Sequence, residues 1–146
     1  MTYDLKGGWI YVMMTSSDYN RFKVGRTTGN PLGRFRALRT SDPTLGFVVA
    51  FFVPRTFARL SQVEAALHAE FENRIPFPDD EGVSEWFLGE PAWAHQWIES
   101  ILEDWQEHPV RSMSFIGQGK ICRAYEDDLR FFYRPTRLYP EDGLPM

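Results

Sequence analysis

The chain has 146 residues, of which 43% are hydrophobic and 16% aromatic. This length supports one hydrophobic core, and the composition excludes an intrinsically disordered chain. No apolar segment has the length of a membrane span, and the lone Cys122 excludes an internal disulfide framework and a cysteine-based zinc cluster. We therefore expect a cytoplasmic globular protein that does not contact a membrane.

The net charge of −4 is unevenly distributed along the chain. Residues 1–60 carry nine Lys/Arg and three Asp/Glu, a balance of +6, whereas residues 61–110 carry one Arg and twelve acids, a balance of −11. Residues 111–146 have a balance of +1. A basic N-terminal part is compatible with phosphate binding, although charge blocks of this kind often only keep a protein soluble.

The first predicted element is a β-hairpin. Aromatic and β-branched residues run from Gly8 to Met14, and polar and apolar residues alternate from Arg21 to Gly25. If both side chains point the same way, Tyr11 and Lys23 lie close together on one face of this hairpin. A lysine in that position would lower the pKa of the phenol and help the tyrosine to take a proton from water.

Two helices and a strand are predicted next. Asn30-Pro31 is typical of a helix start, so a helix is expected from there to about Ser41. The near-continuous apolar run 46–53 predicts a buried central strand. A second helix is expected over 56–74, because apolar residues recur there at helical spacing.

The remainder of the chain is predicted to contain a loop over 75–82, a short extended piece over 84–87 and a third helix that begins at Pro91. Beyond Pro109 the pattern predicts three short strands, at 112–117, 120–125 and 129–134, with a turn at 117–119 between the first two.

This order of elements predicts an α+β fold with a small, mainly antiparallel three-stranded sheet flanked by helices. A β-rich C-terminal extension is expected to pack on the same domain. We expect the domain to cover residues 1–108 and the extension residues 109–146.

Glu64 and His68 lie four residues apart and therefore share one face of the second predicted helix. A carboxylate there could hold a hard divalent cation such as Mg²⁺ when phosphate and water supply the other ligands. An isolated pair of this kind is more often a helix-surface pair without a role. Arg34 allows the same two interpretations, because its fork of donors suits a phosphate but three arginines on a short helix usually form a solvated face.

The order of these residues resembles the GIY-YIG nuclease superfamily. Trp9-Ile10-Tyr11 stands for the GIY block, and Lys23-Val24-Gly25 stands for the YIG block. Arg34 matches the family's arginine on the helix after the second block. Glu64 matches the family's single metal-binding glutamate.

Two later segments resemble one branch of this superfamily, formed by small phage and bacterial domains in which lysine replaces the YIG tyrosine. These segments are Leu67-His68 and Glu85-Trp86-Phe87. The chain also departs from the family pattern. Trp9 stands in place of the first glycine, although Gly8 precedes it, and the asparagine that follows the metal helix in many members has only Glu85-Trp86-Phe87 as its nearest analogue.

The resemblance implies a divalent-metal-dependent endonuclease that hydrolyses DNA phosphodiester bonds with Mg²⁺ or Mn²⁺. It implies that Tyr11 is the general base on the attacking water and that Lys23 assists it. Arg34 would stabilise charge on the scissile phosphate, and Glu64 would hold the metal. His68 would contact the ligands of the metal and hold them in place, or it would act as a proton shuttle.

Further basic residues are candidates for contacts with the DNA backbone: Lys6, Arg26, Arg36 and Arg39. The alternative function is a non-catalytic GIY-YIG-like regulatory module that binds nucleic acid or a protein partner. The acidic net charge and the missing asparagine favour this alternative. The complete set of Tyr11, Arg34 and Glu64 favours the enzyme.

Overall fold

A computed structural model describes residues 7–78, 82–108 and 120–134. In these ranges the strands are β1 Gly7–Thr15, β2 Asp18–Thr27, β3 Leu45–Pro54, β4 Arg74–Pro76, β5 Val83–Leu88 and β6 Cys122–Ala124. The helices are α1 Pro31–Arg39, α2 Leu60–Ala69, α3 Pro91–Glu107 and α4 Glu126–Phe132. The strands form one antiparallel sheet in the order β4-β5-β2-β1-β3-β6.

The predicted α+β class agrees with this architecture, but the prediction of three strands is wrong for the described residues, which form six. The extra strands lie at the two edges of the β2-β1-β3 core. Part of the predicted loop 75–82 belongs to β4, because Arg74 and Pro76 pair with Phe87 and Val83 of β5. Side-chain hydrogen bonds support this pairing: Arg74 Nε donates one of 2.6 Å to the Ser84 carbonyl, and Ser84 Oγ donates one of 2.8 Å to the Ile75 carbonyl. Such short edge strands depend on partners that local sequence does not reveal.

Strand β1 lies inside the sheet and is covered on both faces. Ile10 and Val12 point into a core formed with α2 and α3, whereas Trp9, Tyr11 and Met13 point into a second core formed with α1 and α4. Burial on both faces explains the continuous apolar run in this strand. Tyr11 is therefore part of a packed core and is only 1% exposed.

Helix α1 begins where the sequence predicts it. The Asn30 side chain accepts a hydrogen bond of 3.0 Å from the Leu32 amide, and Pro31 occupies the first helical turn. Leu32 and Phe35 are buried against the sheet, while Arg34 is exposed. The local signals therefore fix the position of Arg34 relative to the sheet.

Helix α2 is shorter than predicted at both ends. Phe57 and Ala58 are buried before the helix begins, and the Phe57 amide donates to the Pro54 carbonyl, which forms a turn after β3. At the other end the chain leaves the helix to pair as β4, which begins at Arg74. Val63 and Leu67 nevertheless form the expected buried stripe.

The C-terminal part differs from the prediction of strands alone. Residues 129–134 were expected to be a strand, but Leu129 is a buried residue of helix α4. Glu126, Asp127 and Asp128 occupy the first turn, and Asp128 Oδ2 accepts a hydrogen bond of 2.8 Å from the Tyr125 amide. Acids in the first turn stabilise the positive end of a helix.

Strand β6 falls within the predicted strand 120–125 and joins the main sheet beside β3. The predicted strand 112–117 and the turn 117–119 lie outside the described residues. Among the described helices, none has the length and apolar character that crossing a membrane requires.

Candidate functional site

The site lies at the point where strand β2 separates from strand β5. Pairing between these strands runs from Arg21 opposite Leu88 to Lys23 opposite Trp86 and ends there. The next carbonyl on β2, that of Val24, is 2.9 Å from His68 Nε2 on α2. A helix side chain therefore reaches the strand edge beyond the end of the ladder.

Tyr11 reaches this edge by lying across Gly25 on the neighbouring strand. The two residues are directly opposite in the β1–β2 register. A Cβ atom on Gly25 would lie 2.4 Å from the Tyr11 phenol oxygen and 2.5 Å from Cζ. Only glycine leaves room for the ring in this position, which gives the glycine of the Lys23-Val24-Gly25 block a physical role.

Arg34 is the cation that contacts the Tyr11 phenol. Burial raises the pKa of Tyr11, a hydrogen bond and the charge of Arg34 act in the opposite direction, and the charges of Glu85 and Glu64 add to the increase. The net direction is upward, so Tyr11 is a neutral phenol at pH 7. The expectation that a neighbouring lysine lowers the pKa of this tyrosine is therefore wrong.

Lys23 does lie diagonally across from Tyr11 on the same face of the hairpin, as the β1–β2 register requires. Its ammonium group is, however, 3.1 Å from Glu85 Oε1 and 5.9 Å from the centre of the Trp86 ring. The Lys23 charge is thus engaged with β5. The role of Lys23 as an assistant of Tyr11 stays a prediction, and the cation that hydrogen-bonds the phenol is Arg34.

Glu64 on α2 lies beside one basic residue, Arg26, and one acidic residue, Glu85. Its Oε1 is 3.1 Å from Arg26 Nε, and its carboxyl group is close enough to Glu85 for a hydrogen bond when one of the two carries a proton. When both are ionised, the buried Oε2 of Glu64 has no hydrogen-bond donor within the described part of the chain. Burial and the nearby Glu85 charge raise the pKa of Glu64, whereas Arg26 and Arg74 lower it.

Glu85 is the site residue that sequence reasoning did not assign. In the sequence it stands out only as part of the Glu85-Trp86-Phe87 block. Its charge acts on Tyr11, Glu64 and His68, and it forms an ion pair with Lys23. Glu85 is about twenty residues from Glu64 in the sequence, and the short β4–β5 hairpin brings the two carboxylates together. The sequence alone therefore does not show that they are neighbours.

His68 is buried and its Nε2 approaches Glu64 Oε2 only to 4.0 Å. Burial lowers the pKa of His68, so the ring is neutral at pH 7 and Nε2 carries the hydrogen that it donates to the Val24 carbonyl. This bond ties α2 to β2 and positions Glu64 one helical turn away. In this arrangement Nε2 is not available to pass a proton to the site.

The oxygen atoms at this edge suit a hard divalent cation. Glu64 Oε2 lacks a donor, and a second carboxylate, Glu85, lies next to it. No cluster of three or more potential ligands from His, Cys, Asp and Glu occurs in the described ranges. A bound ion would therefore need phosphate and water as further ligands, which is common for Mg²⁺.

A depression of about 330 Å³ is lined by Arg26, Thr27, Thr28, Arg34 and Leu60. Arg26 connects it to Glu64 through their ion pair. Two guanidinium groups and two hydroxyl groups make this depression suitable for a phosphate group. Arg36 and Arg39 are exposed on the same helix as Arg34, and Lys6 lies outside the described residues. The contacts of these three residues with DNA stay predictions.

The fold and the site together define an α+β domain with a cluster of arginines and carboxylates beside strand β2 of an antiparallel sheet. The chain belongs to the T5orf172 domain family, which matches residues 8–102. This domain is found in nuclease-like proteins of phages and bacteria, and membership indicates a nuclease-like or DNA-binding role. No curated protein and no solved structure matches the chain.

The matched region runs from β1 to α3 and contains every residue of the site. Strand β6 and helix α4 lie beyond it. The candidate chemistry therefore belongs to the family domain.

Proposed function

We propose that this domain is a GIY-YIG-type endonuclease that hydrolyses DNA phosphodiester bonds with Mg²⁺ or Mn²⁺. The observation that carries the proposal is the grouping of Tyr11, Arg34 and Glu64 at one strand edge, although they come from a strand and two different helices. A core tyrosine has no structural need for both an arginine and two nearby carboxylates. Membership of a family found in nuclease-like proteins supports the same class of function.

Substrate binding follows from the depression between Arg26 and Arg34. Their guanidinium groups carry donors that match the non-bridging oxygens of a phosphate. Arg34 also contacts the phenol of Tyr11, so a phosphate held by Arg34 lies beside that oxygen. Arg34 then stabilises the charge that develops on the phosphate during hydrolysis.

Tyr11 acts as the general base. The oxygen of a water molecule forms a bond to phosphorus, the proton of this water passes to the Tyr11 phenolate, and the bond between phosphorus and one deoxyribose oxygen breaks. The leaving oxygen takes a proton from solvent. Because Tyr11 is neutral at pH 7, only a small fraction of the enzyme carries the phenolate that this step requires.

Glu64 would hold the metal, with Glu85 as its neighbour. When bound, Mg²⁺ or Mn²⁺ supplies neutralisation of the negative charge on the phosphate and on the leaving oxygen. Lys23 keeps Glu85 in place through their ion pair, and His68 keeps α2 against β2. These two residues therefore position the carboxylates without touching the substrate.

A second candidate function is a non-catalytic module that binds DNA. One specific observation favours it: Tyr11 is 1% exposed and its pKa is raised, which suits a structural phenol. In that case the arginines bind phosphate and the carboxylates only balance their charge.

Nicking of a supercoiled plasmid by the purified chain separates the two functions. We expect nicked and linear products in Mg²⁺ or Mn²⁺ and none in EDTA. The decisive control is Glu64→Gln, prepared in parallel to exclude a contaminating nuclease. If the chain binds the plasmid but cleaves neither it nor other DNA and RNA substrates over a range of pH, the binding module is favoured.

A further inference from the structure

The sheet has an open face beside the site, formed by β2 and β5. Phe22 and Phe87 point toward α2 and α3 and are fully buried. Because side chains alternate along a strand, Arg21, Lys23 and Trp86 point to the opposite face. On that face α1 and α4 pack against the core around β1 and β3.

Two cations lie near the Trp86 ring on this open face. The Arg21 guanidinium carbon is 5.4 Å from the centre of the Trp86 ring, and the Lys23 ammonium nitrogen is 5.9 Å from it. The tryptophan is only partly buried. An aromatic ring with cations nearby on a sheet surface is the arrangement on which nucleic-acid bases stack while their phosphates are neutralised.

Arg21 has unused hydrogen-bonding capacity. Its nearest carboxylate oxygen, Asp18 Oδ2, is 3.9 Å from Nε, which is too long for a hydrogen bond. Arg21 Nε is itself buried and has no hydrogen-bond acceptor among the described residues, so the exposed part of the side chain is what can face a ligand. A guanidinium group that is held beside an aromatic ring but lacks a strong acceptor is suited to a ligand's phosphate.

This face is continuous with the candidate active site. Lys23 contacts both the Trp86 ring and the Glu85 carboxylate, and the charge of Glu85 acts on Tyr11 and Glu64. A nucleotide on Trp86 would therefore be a close neighbour of a phosphate at Arg34. The charge of Arg21 complements the DNA backbone beside that base.

We propose that Trp86 stacks on an unpaired base next to the scissile phosphate, with Arg21 binding a flanking phosphate. This inference rests on the proposed function and names its substrate class: DNA that contains an unpaired nucleotide at the cleavage position. In an intact duplex each base is covered by its stacked neighbours, so a sheet-borne indole cannot reach a base face without unstacking it. Single-stranded, bulged or flapped DNA presents that face directly.

Three fluorescein-labelled DNA probes of one sequence test the inference by fluorescence anisotropy in EDTA: a full duplex, the same duplex with a one-nucleotide bulge, and the single strand. We expect wild type to bind the bulged and single-stranded probes more tightly than the duplex. Trp86→Leu should lose about 10-fold in affinity for these two probes and bind the duplex normally. Trp97→Leu is the matched control, because Trp97 is an exposed tryptophan on α3, on the other side of the sheet.

A second measurement uses only the wild-type chain, so it is independent of the folding of any variant. A probe with 5-iododeoxyuridine at the unpaired position is irradiated, and the crosslinked peptide is identified by mass spectrometry. An adduct on Trp86 supports the inference. Adducts only at other residues, equal binding of the three probes, or tighter binding of single-stranded RNA than of DNA would overturn it.

The two claims fail in different ways. If the plasmid is nicked but the probes bind equally, the stacking inference is wrong and the nuclease stands. If no substrate is cut but the bulged probe crosslinks to Trp86, the stacking surface stands and the nuclease function is wrong.

Discussion

The Tyr11 ring lies across Gly25 so closely that a Cβ atom on Gly25 would approach the phenol oxygen to 2.4 Å. The glycine on β2 and the tyrosine on β1 are thus one structural unit. The position of the phenol at the strand edge, beside Arg34, depends on the absence of a side chain at Gly25.

Gly25→Ala should therefore destabilise the fold and displace the phenol. We expect a loss of about 1–3 kcal/mol in the free energy of unfolding, because the ring is buried and the clash involves its rigid end. Urea denaturation followed by circular dichroism measures this loss. Gly33→Ala is the control, since its Cβ would meet no atom closer than 4.0 Å and alanine favours the α1 helix. An equal effect of both substitutions would contradict the packing described here.

The pH dependence of cleavage should report the charges around Tyr11. Because the pKa of Tyr11 is raised, the phenolate fraction and the cleavage rate should rise about 10-fold per pH unit from neutral into the alkaline range. Arg34→Met should move the profile to higher pH, since Arg34 lowers this pKa, and Glu85→Gln should move it to lower pH. Single-turnover rates of an oligonucleotide substrate between pH 6 and 10 measure both shifts. Profiles that stay in place in both variants would exclude Tyr11 as the titrating base.

Much of the architecture could be predicted from local signals. Asn30-Pro31 fixed the start of α1, the alternation around Lys23 indicated β2, and the apolar run 46–53 indicated β3. Strand β6 lies within the predicted strand 120–125, but the short strand β4 and helix α4 were not predicted. Their few residues carry weak periodicity, so long-range pairing decides their structure, and the three acids before Leu129 were the overlooked sign of a helix start.

Glu64 should be required for divalent-metal binding. Isothermal titration with Mn²⁺ should show one site in wild type, no site in Glu64→Gln and a weakened site in Glu85→Gln, because these carboxylates are adjacent. Glu70→Gln is the matched control, since Glu70 is exposed at the C-terminal end of the same helix. Folding of Glu64→Gln should be retained, because burial already disfavours the ionised carboxyl group. Unchanged Mn²⁺ binding in this variant would refute the assignment.

His68 should contribute to stability in a pH-dependent way. Folding lowers its pKa, so between the folded value and about 6.5 the unfolded chain binds a proton that the folded chain does not. The contribution is complete above that range and is lost as the pH falls through it. His68→Phe should cost about 1–3 kcal/mol at pH 7, because the Val24 carbonyl loses its donor, and should flatten this part of the stability profile.

The control for this prediction is His68→Gln, which keeps a hydrogen-bond donor. We expect this variant to retain most of the cleavage rate because His68 only positions α2. A loss of cleavage in His68→Gln as large as that of a missing base, with folding intact, would restore the proton-shuttle role.

Three residues of the candidate site could be selected from the sequence, but Glu85 and the contacts among the site residues could not. Tyr11, Arg34 and Glu64 could be selected by their order in the sequence, yet the partner of the phenol could not. Register alone places Lys23 near Tyr11, but Glu85 on a distant strand holds the lysine by an ion pair. The cation that contacts the phenol comes from a helix, whose distance from the sheet is set by packing of Leu32 and Phe35.

The single-turnover cleavage rate of Tyr11→Phe compared with wild type, in Mg²⁺ and at pH 8, tests the central claim most directly. The substitution removes one hydroxyl group and keeps the buried ring, so folding and DNA affinity should change by no more than one hydrogen bond, about 1 kcal/mol. We predict that the cleavage rate of the variant is lower by a factor of about 100 or more, with unchanged DNA binding by anisotropy. A folded Tyr11→Phe variant that cleaves at the wild-type rate would contradict the proposed mechanism.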